Sequence, residues 1–315
     1  MSGIFLSGSG AVSPAGWGRE KLLATLRDGI LPAAQTIERP GWNRPLTLRR
    51  VPVPVPRPAW AAHPRMRRAA AISQYSAGAA EEALRDSGDG PLGIVYCTTC
   101  GCVNYSRRFY DEVLRDPAVA SPLLFPETVF NAPASHLSTV FGTAAVNYTL
   151  VGDSGIFLHG LSLAAGWLEA GRVARCLVVA AEEVDWIIAD ALHHFRKSAT
   201  LTEGAGAVLL TRERTARTFA ELECVTDPEP YTPRGGRGAR AESLRRVASA
   251  LPPGLAATAA VTGLGEGFSA STVWQILAAI EAAGRSQLPR ATICSPGAYQ
   301  EAIGASFTIY PVTTS

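Results

Sequence analysis

Short apolar runs alternate along this chain with longer, alanine-rich segments. Apolar runs of about four to eight residues between glycines or prolines are typical of buried strands, whereas apolar residues at every third or fourth position indicate helices. Their alternation predicts an α/β protein with a largely buried sheet. We expect strands at residues 4–6, 93–97, 176–181, 205–210, 219–225 and 306–310, and helices at residues 19–27, 69–85, 155–170, 241–251 and 272–283.

One segment departs from this alternation. Residues 39–68 contain eight arginines and seven prolines but no acidic residue. The central run of this segment, Val51-Pro-Val-Pro-Val-Pro56, is not helical, because each proline lacks an amide donor and fixes its own backbone angle. We therefore expect an extended segment at a sheet edge or on the surface.

Composition narrows the class of protein. Apolar residues make up 47% of the 315 residues and charged residues 18%, which excludes a disordered chain. The 29 basic and 27 acidic residues leave a formal net charge of +2, which gives no reason to expect a nucleic-acid partner. The N-terminus lacks the features of a signal peptide, and no apolar stretch is long enough to span a bilayer, so we expect a cytoplasmic protein with no membrane partner.

The length allows one large domain or two modest ones. The best candidate boundary is the arginine- and threonine-rich stretch 211–218. The two halves on either side of this stretch share no convincing sequence repeat, so sequence alone gives only a weak indication of two related units.

Three of the six cysteines crowd into Cys97-Thr-Thr-Cys-Gly-Cys102. This spacing can indicate a zinc or redox site, but no second pair of cysteines or histidines completes a set of four ligands. We therefore expect buried or loop thiols after a strand, and neither a metal nor another cofactor.

Residues 131–183 carry the most chemical information. Tyr148-Thr-Leu-Val-Gly-Asp-Ser-Gly155 predicts a strand and a tight turn, and a long apolar helix follows. Ser154 stands just before that helix, where unpaired N–H groups and the helix dipole stabilise negative charge. Two interpretations stay open: either Asp153 or Ser154 simply caps the helix, or Ser154 is a nucleophile.

At this point the chain resembles a known family, the β-ketoacyl synthases of the thiolase-like condensing enzymes. Gly8-x-Gly10-Ala-Val-Ser-Pro-x-Gly16 is similar to the opening motif of the family, and Phe125-Pro-x-x-Val-x-Asn131 to its F-P-x-x-V-x-N stretch. Glu203-Gly-Ala-Gly-Ala-Val-Leu-Leu210 resembles its E-G-A-G strand, and residues 265–289 resemble its glycine-rich helix followed by a proline. The resemblance covers nearly the whole chain.

The fold that this resemblance implies is a thiolase-like, five-layer αβαβα arrangement with two related halves. Residues 1–212 would form the N-terminal half and residues 217–315 a shortened C-terminal half. The weak boundary at 211–218 coincides with this division.

The catalytic residues of the family are not retained. The resemblance places Ser154 at the position of the catalytic cysteine, and Tyr231 and Glu266 at the positions of the two histidines. Val261 stands where the family has a lysine, and Gly297-Ala-Tyr-Gln300 stands at its G-F-G-G motif. Decarboxylative condensation by this chain alone is not expected, because serine is a weaker nucleophile than cysteine and a carboxylate repels a developing enolate.

Two functions remain open under this resemblance. The first is a non-condensing partner subunit, similar to a chain-length factor, that shapes the acyl tunnel of a Cys-containing ketosynthase in fatty-acid-like or polyketide biosynthesis. The second is an acyltransferase or thioesterase that uses Ser154 on acyl-carrier or acyl-CoA thioesters, with Glu266 or His159 as the base. The joint loss of the three catalytic residues favours the first, in a homodimer or in a heterodimer with the ketosynthase. His159 and His136 are more typical of structural histidines.

An acidic acyl carrier protein is the further partner that the resemblance implies. Arg49, Arg50, Arg67 and Arg68 are the candidate docking residues, unless residues 39–68 are only a solvated arm. A second basic cluster consists of Arg234, Arg237, Arg240, Arg245 and Arg246. Docking through such exposed charges should weaken as salt is added.

Overall fold

The computed structural model describes residues 3–88, 90–142, 146–197, 199–232, 236–256 and 263–310. These residues form 14 strands and eight α-helices, together with short 3-10 helices. The strands are β1 (Phe5–Ser13), β2 (Gly16–Trp17), β3 (Gln35–Ile37), β4 (Leu46–Arg49), β5 (Leu92–Thr98), β6 (Asn147–Val151), β7 (Arg175–Glu182), β8 (Leu201–Thr202), β9 (Gly204–Thr211), β10 (Ala220–Val225), β11 (Glu229–Pro230), β12 (Leu255–Ala256), β13 (Arg290–Ser295) and β14 (Glu301–Ile309). The helices are α1 (Arg19–Asp28), α2 (Ala71–Leu84), α3 (Val103–Arg115), α4 (Ala132–Val140), α5 (Ile156–Glu169), α6 (Trp186–Phe195), α7 (Gly236–Ala250) and α8 (Phe268–Arg285).

The main sheet contains the same strand order twice. From the edge to the centre, the first half has the order β6-β5-β7-β9-β1 and the second half has the order β12-β13-β14-β10. In this comparison β12, β13, β14 and β10 correspond to β5, β7, β9 and β1, and β6 has no counterpart in the described residues. In the first half β9 is antiparallel to both of its neighbours, and in the second half β14 is too. The first strands of the two halves, β1 and β10, pair antiparallel with Phe5 opposite Glu221. The repeat that the sequence hides is therefore present in the topology.

Helices fill the space between the two halves and cover them on the outside. The helix α5 packs against β5 and β7 of the first half and against β10 and β14 of the second, and α8 likewise contacts strands of both halves. On the outer faces, α2 covers β1, β7 and β9, while α7 covers β13 and β14. The layers alternate helix, sheet, helix, sheet, helix, so the predicted five-layer arrangement with two related halves is confirmed.

The expected strands and helices are all present, although their ends differ. The largest difference is β1, which we expected to end at Leu6 but which continues through Gly8 and Gly10. A Cβ atom at Gly8 would lie 2.0 Å from the backbone oxygen of Ala83, and one at Gly10 would lie 2.1 Å from that of Ala79. Glycine in this strand therefore permits the close approach of α2, and does not mark a turn.

The arginine-rich segment 39–68 contributes to a second, smaller sheet. Its β4 strand lies between β3 and β8 in the order β3-β4-β8. The chain then runs along the surface, where Val53 is 83% exposed and Val55 is 87% exposed. The expectation of an extended surface segment is confirmed.

Sequence patterns did not predict α3, α4 and α6. The helix α3 buries only Val103, although its apolar and polar residues lie on opposite faces as in an amphipathic helix. The proposed division between residues 212 and 217 lies in the connection from β9 to β10. Within the described ranges, no helix is both long enough and apolar enough to cross a membrane.

Candidate functional site

Ser154 lies on the turn between β6 and α5. The residue is 7% exposed, and its Oγ atom has no hydrogen-bond partner among the described residues. Its backbone carbonyl accepts a hydrogen bond from Thr272 Oγ1 on α8, at 2.6 Å. The protein thus fixes the backbone of Ser154 from the second half while the hydroxyl remains unengaged.

Asp153 organises a neighbouring turn, residues 297–301, which we call the C-terminal turn. The Asp153 side chain is buried, and among the described residues its carboxylate accepts hydrogen bonds only from backbone N–H groups. These donors are Ser154 (2.7 Å), Ala298 (2.6 Å), Tyr299 (3.1 Å), Gln300 (2.8 Å) and Glu301 (3.4 Å).

The interpretation of Asp153 or Ser154 as the cap of α5 is wrong. The N-cap residue is Gly155, and no side chain caps the helix. The reason is that the Asp153 carboxylate faces the C-terminal turn, which lies almost 150 residues further along the chain. A local sequence pattern carries no signal for a partner at that separation.

Glu266 lies just before α8. Its carboxylate pairs with Arg196 and accepts the backbone N–H of Phe268 at 3.0 Å. It does not hydrogen-bond to Ser154 Oγ, which has no partner in the described part of the chain. The carboxylate is therefore held by a cation and is not placed to take a proton from Ser154.

Ser154 and Glu266 meet in one space, an inner cavity of about 210 Å³. Arg196 and Arg240 also line this cavity, as does Gln275 on α8. The structure thus brings together two of the three sequence-predicted catalytic positions. Arg196 is a site residue that sequence analysis missed, because it follows α6, an element that the pattern did not predict.

Tyr231, the third predicted position, lines a different space. It faces an outer pocket of about 680 Å³, which shares Arg196 and Arg240 with the inner cavity. Its hydroxyl donates to the Pro296 carbonyl at 3.1 Å. Burial raises the pKa of Tyr231, so the hydroxyl stays protonated and remains a donor.

Basic side chains dominate the outer pocket. Its described lining contains no acidic residue. The basic lining residues are His194, Arg196, Lys197, Arg237 and Arg240. Arg237 and Arg240 belong to the predicted second basic cluster, whereas Arg234 of that cluster lies outside the described residues, as does Val261.

The other candidate groups do not contact Ser154. His159 lies 2.7 Å from Glu301, and the buried His136 lies 3.0 Å from Glu127. Cys97 and Cys102 are buried, and Cys100 is half-buried. No cluster of three or more His, Cys, Asp or Glu side chains that could hold a metal occurs in the described ranges.

The four candidate docking arginines have different surroundings. Arg49 donates to the carbonyls of Pro32 at 2.8 Å and Leu264 at 2.9 Å. Arg50 pairs with the buried Glu203 at 3.3 Å. Arg67 and Arg68 are exposed. Arg67 and Arg68 are therefore better placed than Arg49 and Arg50 to contact a partner at the surface.

Two further buried carboxylates lie at the end of β7. Glu182 accepts the backbone N–H groups of Thr99 at 2.6 Å and Cys100 at 3.0 Å, and also bonds to Ser269 Oγ. Burial raises the pKa of Glu182 from 4.5 to about 7 and that of Glu183 also from 4.5 to about 7. Sequence analysis did not single out this pair as candidate functional residues.

A family model for 3-oxoacyl-[acyl-carrier-protein (ACP)] synthase III matches residues 153–228. This match begins at Asp153 and includes α5, β7 and β9. It therefore contains the site residues Ser154 and Arg196. A comparison with curated protein sequences gives no significant match.

Solved structures resemble the chain over nearly its whole length. One is described as the ishigamide ketosynthase/chain length factor, with a TM-score of 0.77, 21% identity, and coverage of 97% of this chain and 99% of that one. A beta-ketoacyl synthase from Burkholderia phymatum STM815 gives a TM-score of 0.72 at 15% identity, covering 98% of this chain and 99% of that chain. A third, AntDE:AntF, is a type II PKS acyl-carrier protein in complex with its ketosynthase; its TM-score is 0.71 at 16% identity, with coverage of 98% and 99%.

These comparisons agree with the topology of the chain. The repeated strand order, the central helices α5 and α8, and the turn that carries Ser154 are parts of one architecture. The resemblance that the sequence motifs indicate is confirmed: the chain has the thiolase-like fold of the solved ketosynthase structures, and residues 153–228 match the 3-oxoacyl-[acyl-carrier-protein (ACP)] synthase III model.

Proposed function

We propose that the chain is a non-condensing, β-ketoacyl synthase-like subunit that pairs with a Cys-containing ketosynthase in polyketide or fatty-acid-like biosynthesis. The observation that carries this proposal is the hydrogen bonding of the Ser154 hydroxyl. This hydroxyl has no hydrogen-bond partner in the described part of the chain, so none of the described side chains is placed to activate it as a base. A serine hydroxyl without a base is a poor nucleophile at neutral pH.

The positions of the two family histidines support the same conclusion. Condensation needs donors that stabilise a developing enolate oxygen. At one of these positions Glu266 has a carboxylate that is paired with Arg196. At the other, the Tyr231 hydroxyl donates a hydrogen bond to the backbone carbonyl of Pro296. Neither side chain therefore supplies the hydrogen bonds that a pair of imidazoles would donate to an enolate oxygen.

The free edge of the main sheet supports pairing with a second subunit. The sheet ends at β6, which pairs only with β5 among the described strands. Tyr148 is 54% exposed and Val151 is 49% exposed on this edge strand. An exposed edge strand with apolar side chains is a template for another chain.

The surface beside β6 is apolar as well. The helix α4 contacts β6, and the chain leading into α4 exposes Leu123, Phe125 and Phe130. A ketosynthase seated on this surface would bury these side chains next to its own tunnel, which is how the subunit would shape the acyl chain. The structure described as a ketosynthase/chain length factor is consistent with such a pair.

The test compares the chain alone with the chain co-expressed with a Cys-containing ketosynthase. We expect a heterodimer in size-exclusion chromatography with light scattering, and release of CO₂ from malonyl-charged carrier protein only by the pair. Tyr148→Lys should dissociate the pair, because a charge on the edge strand opposes pairing. Leu288→Lys, at a residue that is 41% exposed and follows α8 in the second half, is the matched control and should leave the pair intact. Decarboxylation by the chain alone, or a pair that tolerates Tyr148→Lys, would refute the proposal.

A Ser154-dependent acyltransferase or thioesterase is the second candidate. It is favoured by the position of Ser154, which is buried beside a cavity at the start of α5. Incubation with acyl-pantetheine thioesters followed by intact mass measurement separates the two candidates. An acyl adduct that is absent from Ser154→Ala and that turns over supports the second candidate and excludes an inert subunit.

Carrier-protein docking is the remaining part of the proposal. Since Arg49 and Arg50 are engaged within the protein, the exposed Arg67 and Arg68 are the sharper probes. The double variant Arg67→Glu, Arg68→Glu should weaken binding of an acidic carrier protein several-fold at low salt, and the difference should shrink at high salt. Surface plasmon resonance at two salt concentrations measures this effect. Unchanged affinity at low salt contradicts docking at these residues.

A further inference from the structure

Two buried polar atoms at the inner cavity lack a partner in the described part of the chain. They are Ser154 Oγ and Gln275 Oε1, in residues that are 7% and 8% exposed. A buried polar atom without a partner is costly, since it has lost its bonds to water. Both atoms are satisfied if the cavity holds a ligand that can form hydrogen bonds.

The wall around Gln275 is polar too. Ser271 and Thr272 precede Gln275 on α8 by four and three residues, and all three line the cavity. Residues at these spacings share one face of a helix. The cavity therefore has a hydroxyl- and amide-lined wall, which suits a polar group better than an acyl chain.

The volume limits the size of the ligand. The cavity measures about 210 Å³. One water molecule occupies about 30 Å³ in the liquid, so the cavity has room for several water molecules or for a small organic ligand.

The charge at the cavity favours an anion. Among the described lining residues, Arg196 and Arg240 contribute two guanidinium groups against the single carboxylate of Glu266. Arg196 pairs with that carboxylate, whereas Arg240 donates only to the carbonyls of Pro296 and Gly297 among the described residues. The positive charge of Arg240 thus remains available to an anionic ligand.

We propose that the inner cavity binds a short hydroxycarboxylate, with the carboxylate at Arg240 and a hydroxyl between Gln275 and Ser154. A hydroxyl group both donates and accepts, so it matches the Gln275 amide in either orientation as well as Ser154 Oγ. The site does not depend on pairing with a ketosynthase, so it can be tested on the isolated chain.

The experiment uses three carboxylates as probes. Lactate and butyrate have the same charge and six non-hydrogen atoms each, and glycerate carries one hydroxyl more than lactate. Isothermal titration of the full chain should show lactate and glycerate binding about tenfold or more tightly than butyrate, which is the size expected when a hydroxyl satisfies a buried polar atom. Glycerol, without the carboxylate, should bind weakly.

Variants locate the ligand. Gln275→Leu keeps the volume and removes the amide, so lactate and butyrate should bind about equally. Arg240→Gln should weaken both acids by a similar factor, and Gln35→Leu on the exposed strand β3 is the matched control. If Gln275→Leu does not fold, Ser154→Ala should still reduce the preference for lactate.

The proposal is overturned if butyrate binds the wild-type chain as tightly as lactate, or if no hydroxycarboxylate binds. It is also overturned if the folded Gln275→Leu variant retains the full preference. These results leave the proposed function standing, because that function is tested by heterodimer formation and by CO₂ release.

Discussion

Asp153 and Ser154 are neighbours in the chain, but they face two regions of opposite character. The Asp153 carboxylate accepts backbone N–H bonds from the C-terminal turn, with Ala298 at 2.6 Å and Gln300 at 2.8 Å. Ser154 lines the inner cavity, and its hydroxyl has no partner in the described part of the chain. One region is fully satisfied within the protein and the other is not.

This difference separates structural from ligand-facing positions. Buried polar groups that hold a fold together are hydrogen-bonded inside the protein, and those that are not need a ligand or water. Asp153 stabilises the wall of the site by tying the second half to the turn before α5. The Ser154 hydroxyl makes no hydrogen bond within the described part of the chain, so the side chain contributes little to the fold.

The largest effect should come from Asp153→Ala, which removes the buried acceptor of five backbone N–H groups. Because those donors would be left unpaired, we expect a loss of about 3–5 kcal/mol in the free energy of unfolding. Urea denaturation measures the loss, and hydrogen exchange should show faster exchange at residues 298–301.

Asp227→Ala is the matched control for this comparison, since Asp227 is exposed. It should change stability by less than about 0.5 kcal/mol. If Asp153→Ala costs no more than this control, the C-terminal turn is not held by Asp153 and the contrast with Ser154 disappears.

Glu182 offers a second test of this comparison. Its carboxylate also accepts backbone N–H groups, but the effect of burial on its pKa outweighs the effect of these hydrogen bonds. Its pKa is raised from 4.5 to about 7. Between these values the folded protein keeps a proton that the unfolded chain has lost, so stability falls as pH rises from about 5 to 7. For one such group, the free energy of unfolding should fall by up to about 1.4 kcal/mol per pH unit in this range. Glu183 should add a similar contribution, because its pKa is raised in the same way.

The measurement is urea denaturation at pH 5, 6 and 7 for the wild type and for Glu182→Gln. The amide cannot titrate, so the variant should lose the share of the pH dependence that belongs to Glu182. A variant with the same slope as the wild type would show that Glu182 is ionised throughout this range, as a carboxylate governed only by its N–H partners would be.

The fold was predictable because its signals are local or depend on short motifs. Buried strands such as β7 are continuous apolar runs, and the glycines of β1 carry part of the family motif. The repeat of the two halves was not visible, because strand order is a property of pairing between distant segments. The helix α3 was missed although its apolar residues recur with a helical period, and of these only Val103 is buried.

The site was predictable only in part. Motif positions placed Ser154 and Glu266, which share the inner cavity, and Tyr231, which faces the outer pocket. Arg196 was missed, and so was the role of Asp153, because their partners lie 70 residues or more away in the chain. Such contacts arise from packing of the two halves, which no local pattern encodes.

Ser154→Ala should have the smallest effect on stability and is therefore the strictest test of the comparison. The substitution removes a buried hydroxyl that has no partner in the described part of the chain, so it should be neutral or stabilise the protein by up to about 1 kcal/mol. Thr272→Val is the matched control, because it removes the donor to the Ser154 carbonyl and should cost about 1 kcal/mol. Denaturation of both variants in urea orders the two effects. If Ser154→Ala is the more costly of the two, the Ser154 hydroxyl is bound within the protein, and the inner cavity is as fully satisfied as the C-terminal turn.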